Sequence, residues 1–234
     1  LALSMAALLI IPLAFGLREP GFQGAAPPKR DQTIGQALRE AFSYPSFNLL
    51  MAGYFVCGFQ VVFIGVHMPS YLKDNGLSPQ VASYALALIG LFNVFGTYIA
   101  GTLGQRMPRR FILSFIYLAR AVAISVFLLV PLSPLSVYIF SAVMGTLWLS
   151  TVPPTNATIA QIFGVQHLSM LGGFVFCSHQ LGSFMGVWLG GYLYDATGSY
   201  DIVWYIAIGL GVLAGLVNLP IKEAPIQRAQ PQAA

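Results

Sequence analysis

The residues able to do chemistry in this chain are few, and they stand inside long apolar runs. His179 and Gln180 fall near the middle of LSMLGGFVFCSHQLGSFMGVWLGGYLY, residues 168–194. The pair can donate to and accept from a bound solute, and a histidine can also carry a proton near neutral pH. The competing account is a neutral histidine hydrogen-bonded across a helix interface. Arg120 stands at the centre of FILSFIYLARAVAISVFLLVP. A central arginine in a membrane span costs about 2.5–3.5 kcal/mol on insertion scales, so its charge must be compensated. A substrate carboxylate would do so, as would backbone carbonyls of neighbouring helices or an acid elsewhere in the protein.

Gln60, Asn93 and Trp148 complete the candidate substrate-binding set. Gln60 shares a helical face with Gly53 and His67, and His67 lies nearer the outer end. Asn93 shares its face with Gly90, Gly96, Thr97, Ala100 and Gly104, which reads either as a ligand or as small-residue packing bridged by an amide. Trp148 precedes Pro153-Pro154, which must interrupt the helical hydrogen-bond ladder. A broken helix lining a cavity is one outcome, and a lipid-facing tryptophan beside a harmless kink is the other.

The acidic residues Glu19, Asp31, Glu40, Asp74, Asp195, Asp201 and Glu223 all fall outside the apolar runs or at their edges. Carboxylate proton relays and metal clusters at mid-depth therefore have no acidic ligand in this chain. Phosphate loops, nucleophile elbows and the HExxH and CxxC patterns are absent, so no catalytic residue, metal or cofactor is expected, and the chain does not read as an enzyme.

Those side chains need a membrane to make sense. The 234 residues are 57% hydrophobic and only 8% charged, against roughly 25% charged in soluble domains. The fold expected is all-α, a polytopic membrane bundle embedded in a lipid bilayer. Residues 1–17 read as the end of a truncated span. Residues 18–45 form a polar connector with a short amphipathic helix, in which Thr33 and Gln36 resemble a capping box. Six spans follow at about 46–68, 81–103, 111–131, 135–160, 168–193 and 200–221, each near the 20 residues that cross a hydrocarbon core. Residues 46–221 thus form the six-span unit, and 222–234 a tail. Gly182, Gly186 and Gly190 recur every fourth residue on the face of His179, the small-residue pattern that lets membrane helices approach closely. Cys57 and Cys177 both lie within spans and read as small packing residues.

Alternating the loops places Arg18, Lys29, Arg30, Arg39, Arg106, Arg109, Arg110, Lys222 and Arg228 on one side, with only Lys73 on the other. The positive-inside rule makes the first side cytoplasmic, which locates the central loop and the C-terminal tail there in a cell (inner) membrane. The net charge of +4 thereby reflects topology, and no nucleic-acid partner is implied.

Residues 101–110, GTLGQRMPRR, resemble the cytoplasmic loop motif of the major facilitator superfamily, usually G-x-L-G/A-D-R-x-G-R-R/K. Gly101, Gly104, Arg106, Arg109 and Arg110 match it, whereas Gln105 replaces an aspartate and Pro108 a glycine. YLARA, GTLWLSTVPPTNATIAQIFG and SHQLGSFMGVWLGGYLYDATGSYD are similar to bacterial members related to monocarboxylate and oxalate/formate transporters. The resemblance implies the C-terminal half of a twelve-span fold, spans seven to twelve, whose N-terminal six-span half is missing. It implies cavity-side spans at 46–68, 81–103, 135–160 and 168–193, and supporting spans at 111–131 and 200–221, which would place Arg120 on an outer helix.

The function expected is secondary transport of a small organic anion by alternating access, monocarboxylate-like, with symport the expected coupling. The glycine face of the fifth span is expected to rock against the missing half, with Arg106, Arg109 and Arg110 latching the cytoplasmic side. The rival classes are an exporter of drugs or other cationic or neutral solutes, and a non-transporting sensor on the same fold.

Overall fold

The computed structural model of the chain describes residues 32–228; the expected truncated span at 1–17 and the first half of the connector lie outside them. The described residues are helical without strands. The helices are α1 Ile34–Ser43, α2 Pro45–Asp74, α3 Pro79–Leu103, α4 Arg109–Leu129, α5 Pro134–Leu147, α6 Val152–Phe163, α7 Leu168–Thr197 and α8 Asp201–Asn218. Proline opens α2, α3 and α5, where its fixed φ suits the first turn and its missing N–H leaves no bond unmade. Gly198 ends α7 in the left-handed region at φ 71°, a conformation other residues resist.

Five stretches are long and apolar enough to cross a bilayer: α2, α3, α4, the pair α5–α6 taken together, and α8. The sixth expected crossing, α7, falls outside that set although it equals α2 at 30 residues. Its glycines, serines and the His179-Gln180 pair dilute its apolar content.

The most extensive pairings are α2 with α7, α3 with α5, and α4 with α8, and α2 also packs on α8. Phe63, Met68, Phe127, Phe140 and Trp204 form one apolar core. Phe47, Leu50, Cys57, Tyr117, Ile159 and Phe163 belong to a second, and Trp148 packs against both.

Glycine sets the closest approaches. A side chain at Gly182 would collide with the Phe55 carbonyl, one at Gly186 with the Phe59 carbonyl, and one at Gly58 with the His179 carbonyl. The α3–α5 contact repeats the device, with Gly96 against the Thr146 carbonyl and Gly145 against that of Ile89. Gly190 in turn receives the His67 ring. This corrects one expectation: the glycine face of α7 is consumed inside the bundle, because α2 brings Gly58 of its own to meet it. The side of α7 left open carries Phe176, Gln180, Phe184 and Trp188 instead.

At the arginine-rich end, the chain beyond α8 is fastened across four helices. The Lys222 amide donates to Ser46 Oγ (2.9 Å), and Glu223 accepts from the Arg110 amide (2.8 Å) and pairs with Arg109 (3.6 Å). The Ile226 amide donates to the Ile162 carbonyl (3.0 Å), and Arg228 pairs with Glu40 at 2.8 Å.

A bulky residue at Gly182 is expected to destabilise the bundle by at least about 3 kcal/mol, since the obstacle is backbone and cannot swing aside. Gly191, with nothing within 4 Å of an added Cβ, is the control. In detergent melts Gly182→Leu should lower the midpoint markedly while Gly191→Leu leaves it in place.

Candidate functional site

The candidate site is built around the break between α5 and α6. Pro153 and Pro154 have no N–H to give to the carbonyls one turn back, and α5 stops at Leu147. The Trp148 amide falls back on the Gly145 carbonyl (3.0 Å), and the Val152 amide on that of Leu149 (3.0 Å). Carbonyls of Leu147 and Trp148 then face Arg120. Its Nε and Nη2 donate to Leu147 at 3.1 and 2.6 Å, and Nη2 also donates to Trp148 at 2.5 Å. Nη1 reaches Gln60 Oε1 at 3.4 Å, and the guanidinium lies 5.4 Å from the Tyr117 ring centre. Gln60 spends its own amide on the Ala207 carbonyl (2.9 Å). From the other side of the break, Asn93 Oδ1 accepts the Leu149 amide (3.0 Å) and the Thr97 hydroxyl (3.3 Å).

Both ends of the interruption are therefore served by side chains. The guanidinium meets the partial negative charge at the C-terminal end of α5, where helix dipoles favour a cation. Arg120 and Gln60 are each 0% exposed, so neither reaches the surface of the described bundle. Of the compensations expected for Arg120, the structure shows neighbouring backbone carbonyls: at the break the Val152 amide turns to Leu149, and no helical amide reaches Leu147 or Trp148. Asn93 is half-buried and likewise engaged.

His179 lies at the edge of the interior. Its Nδ1 stands 3.1 Å from Gln180 Oε1 and 3.4 Å from Ser183 Oγ. The ring stacks on Phe176 (5.6 Å, 7°) and tilts against Tyr54 (5.0 Å). Below it, Cys57 Sγ and Thr151 Oγ1 are 3.3 Å apart, and the thiol has Arg120 and His179 as electrostatic neighbours. Gln180 is exposed and Trp148 half-buried. A ladder of polar groups thus climbs from the buried guanidinium, past Thr151 and Cys57, to His179 and the open amide of Gln180.

Sequence reading missed the middle of this ladder. Cys57 precedes Gln60 by one turn of α2 and Thr151 stands two positions before the proline pair, so spacing from Gln60 and from the prolines was the available signal. His67 serves a different end: it binds the Val187 carbonyl (3.0 Å) and packs against Phe63 and Tyr200. Cys177 is exposed and Cys57 buried, both as free thiols.

The loop residues Gly101, Gly104, Gln105, Arg106, Arg109 and Arg110 gather at the arginine-rich end. Arg109 hydrogen-bonds Gln161 on α6 and pairs with Glu223, whereas Gln105 and Arg106 are exposed.

Arg120→Met should leave the Leu147 and Trp148 carbonyls without donors, at about 1–3 kcal/mol for each buried group. The expected result is correct membrane insertion with a clearly lowered melting midpoint, and only partial recovery by Arg120→Lys, whose single ammonium cannot reproduce the forked geometry.

With this geometry in place, similarity to known proteins can be weighed. The profile of the Major Facilitator Superfamily matches residues 1–164 and, in an overlapping second match, 50–234. The chain is 26% identical over 225 residues to the "Uncharacterized MFS-type transporter YcxA" of Bacillus subtilis (strain 168), covering 94% of this chain and 54% of that protein. It is 26% identical over 181 residues to "Monocarboxylate transporter 13" of Rattus norvegicus, covering 75% of this chain and 40% of that protein. With "Monocarboxylate transporter 14" of Homo sapiens it shares 27% identity over 165 residues, 67% of this chain and 31% of that protein. The chain thus spans about half or less of the length of these curated relatives. Taken with the apolar helices already described, the two profile matches show that this multi-pass membrane chain belongs to the Major Facilitator Superfamily.

Proposed function

We propose that the chain is the C-terminal six-span half of a secondary transporter that moves small organic anions by alternating access. The observation that carries this reading is the polar ladder ending at His179 and Gln180, backed by a buried guanidinium. Among the described residues the carboxylates Glu40, Asp74, Asp195, Asp201 and Glu223 all sit at helix ends or beyond them. No carboxylate among the described residues pairs with Arg120, whose charge meets carbonyl dipoles, the Gln60 amide and the Tyr117 ring, so the mid-depth region keeps a positive potential that low dielectric amplifies. A carboxylate docking at Gln180 and His179 would meet that potential without touching Arg120. The names of the monocarboxylate transporter relatives support the same solute class.

On this reading the exposed faces of α3 and α7 meet an N-terminal half, with the solute between the halves near mid-bilayer. The arginine-rich end is cytoplasmic. There Arg109 and Arg110 hold the tail through Glu223, and Arg106 adds positive charge to the same rim.

Uptake of a panel of monocarboxylates into proteoliposomes tests the proposal. His179→Ala and Gln180→Ala should each raise the apparent KM about tenfold, the worth of one lost hydrogen bond of about 1–1.5 kcal/mol, while insertion stays unchanged in both and melting stays unchanged in Gln180→Ala. Full uptake by both variants would remove the ladder from the solute path. Transport of lipophilic cations in place of carboxylates would favour an exporter, and ligand binding without counterflow would favour a sensor.

A further inference from the structure

The turn between α3 and α4 and the segment beyond α8 flank an open surface cavity of about 490 Å³ that the solute reading does not use. Gln105, Arg106, Arg109, Arg110, Gln161 and Glu223 supply its polar wall. Three guanidinium groups face one carboxylate, so the cavity is net positive. The Arg109 Nε–H is buried and has no hydrogen-bond partner. Glu223 shows what the place accepts: its carboxylate takes the Arg110 amide at 2.8 Å in the first turn of α4 and lies 3.6 Å from Arg109 Nη1. An anion that displaced Glu223 would meet the Arg110 amide in the first turn of α4 beside guanidinium groups, the donor set of an oxyanion site.

A second, apolar trough of about 640 Å³ runs between α4 and α5 farther along the same helix. Its α4 wall includes Phe115, Leu118, Val122 and Val126, a single stripe at helical spacing. Phe111 extends that stripe one turn toward the arginines, and the Arg110 guanidinium lies 4.7 Å over its ring. Phe111, Phe115, Val122 and Val126 are all exposed large apolar side chains. A positive cavity followed on one helix by an open apolar trough matches the two chemistries of an anionic phospholipid.

We propose that this end of α4 binds an anionic phospholipid of the cytoplasmic leaflet, its phosphate in the arginine cavity and an acyl chain along the α4–α5 trough. Glu223 competes with the phosphate for the same donors. The proposal rests on the arginine-rich end being cytoplasmic, as argued for the transporter, but lipid retention is read without any transport, so the two can fail separately.

The test is native mass spectrometry of the detergent-purified protein after exposure to phosphatidylglycerol or phosphatidylcholine. Phosphatidylglycerol should be retained at least about tenfold better, and each of Arg106→Gln and Arg109→Gln should cut that retention about fivefold, the usual effect of one basic residue at an anionic surface. Arg106 is exposed, so its variant remains informative if loss of Arg109 disturbs the fold. Glu223→Gln should increase retention, because it removes the competing carboxylate and leaves every guanidinium. Equal retention of the two lipids would overturn the proposal. So would an unchanged or weaker Glu223→Gln, or full displacement of the lipid by millimolar inorganic phosphate.

Discussion

The arrangement described above depends on one electrostatic bargain: a buried arginine and an interrupted helix are each unstable alone and stable together. The break between α5 and α6 leaves the Leu147 and Trp148 carbonyls without helical donors, in a region with no water to satisfy them. Arg120 brings a charge that apolar surroundings resist. Joined through the Leu147 and Trp148 carbonyls, each removes the other's deficit. Gln60 and Asn93 extend the repair, tying α2 and α3 to the same break. Three spans, α2, α3 and α4, therefore converge on one short non-helical stretch, which also carries Trp148.

Around this centre the bundle is held by two kinds of contact. The α2–α7 and α3–α5 seams are backbone against backbone, set by glycine, and have no slack. The aromatic core of Phe63, Phe127, Phe140 and Trp204 is instead side chain against side chain, with rings meeting edge-on and stacked.

Much of this was legible beforehand, and the reasons differ from residue to residue. Hydrophobic run length located the helices because a bilayer leaves few alternatives. The proline pair announced the broken span, and the GTLGQRMPRR loop announced the superfamily. The partners were not legible. A glycine stripe says that something will come close without saying what, and here Gly58 on α2 took the place assigned to a missing half. Arg120 needed compensation, but only three-dimensional placement distinguishes a carbonyl from a solute carboxylate. Cys57 and Thr151 carry no pattern of their own and became visible only when α2 and the break were brought together.

The chain distance between Arg120 and its acceptors has a consequence for biogenesis. Leu147 lies 27 positions after Arg120, so donor and acceptor belong to a single helical hairpin, α4 with α5. The translocon can release that hairpin into lipid as a unit, with its guanidinium already matched, and no stage of synthesis need expose the bare cation to acyl chains. The α2–α7 seam joins residues about as far apart as His67 and Val187, 120 positions, and can close only after five further helices have emerged. Assembly is thereby ordered, with the costly charge neutralised early and the tight glycine contacts formed late.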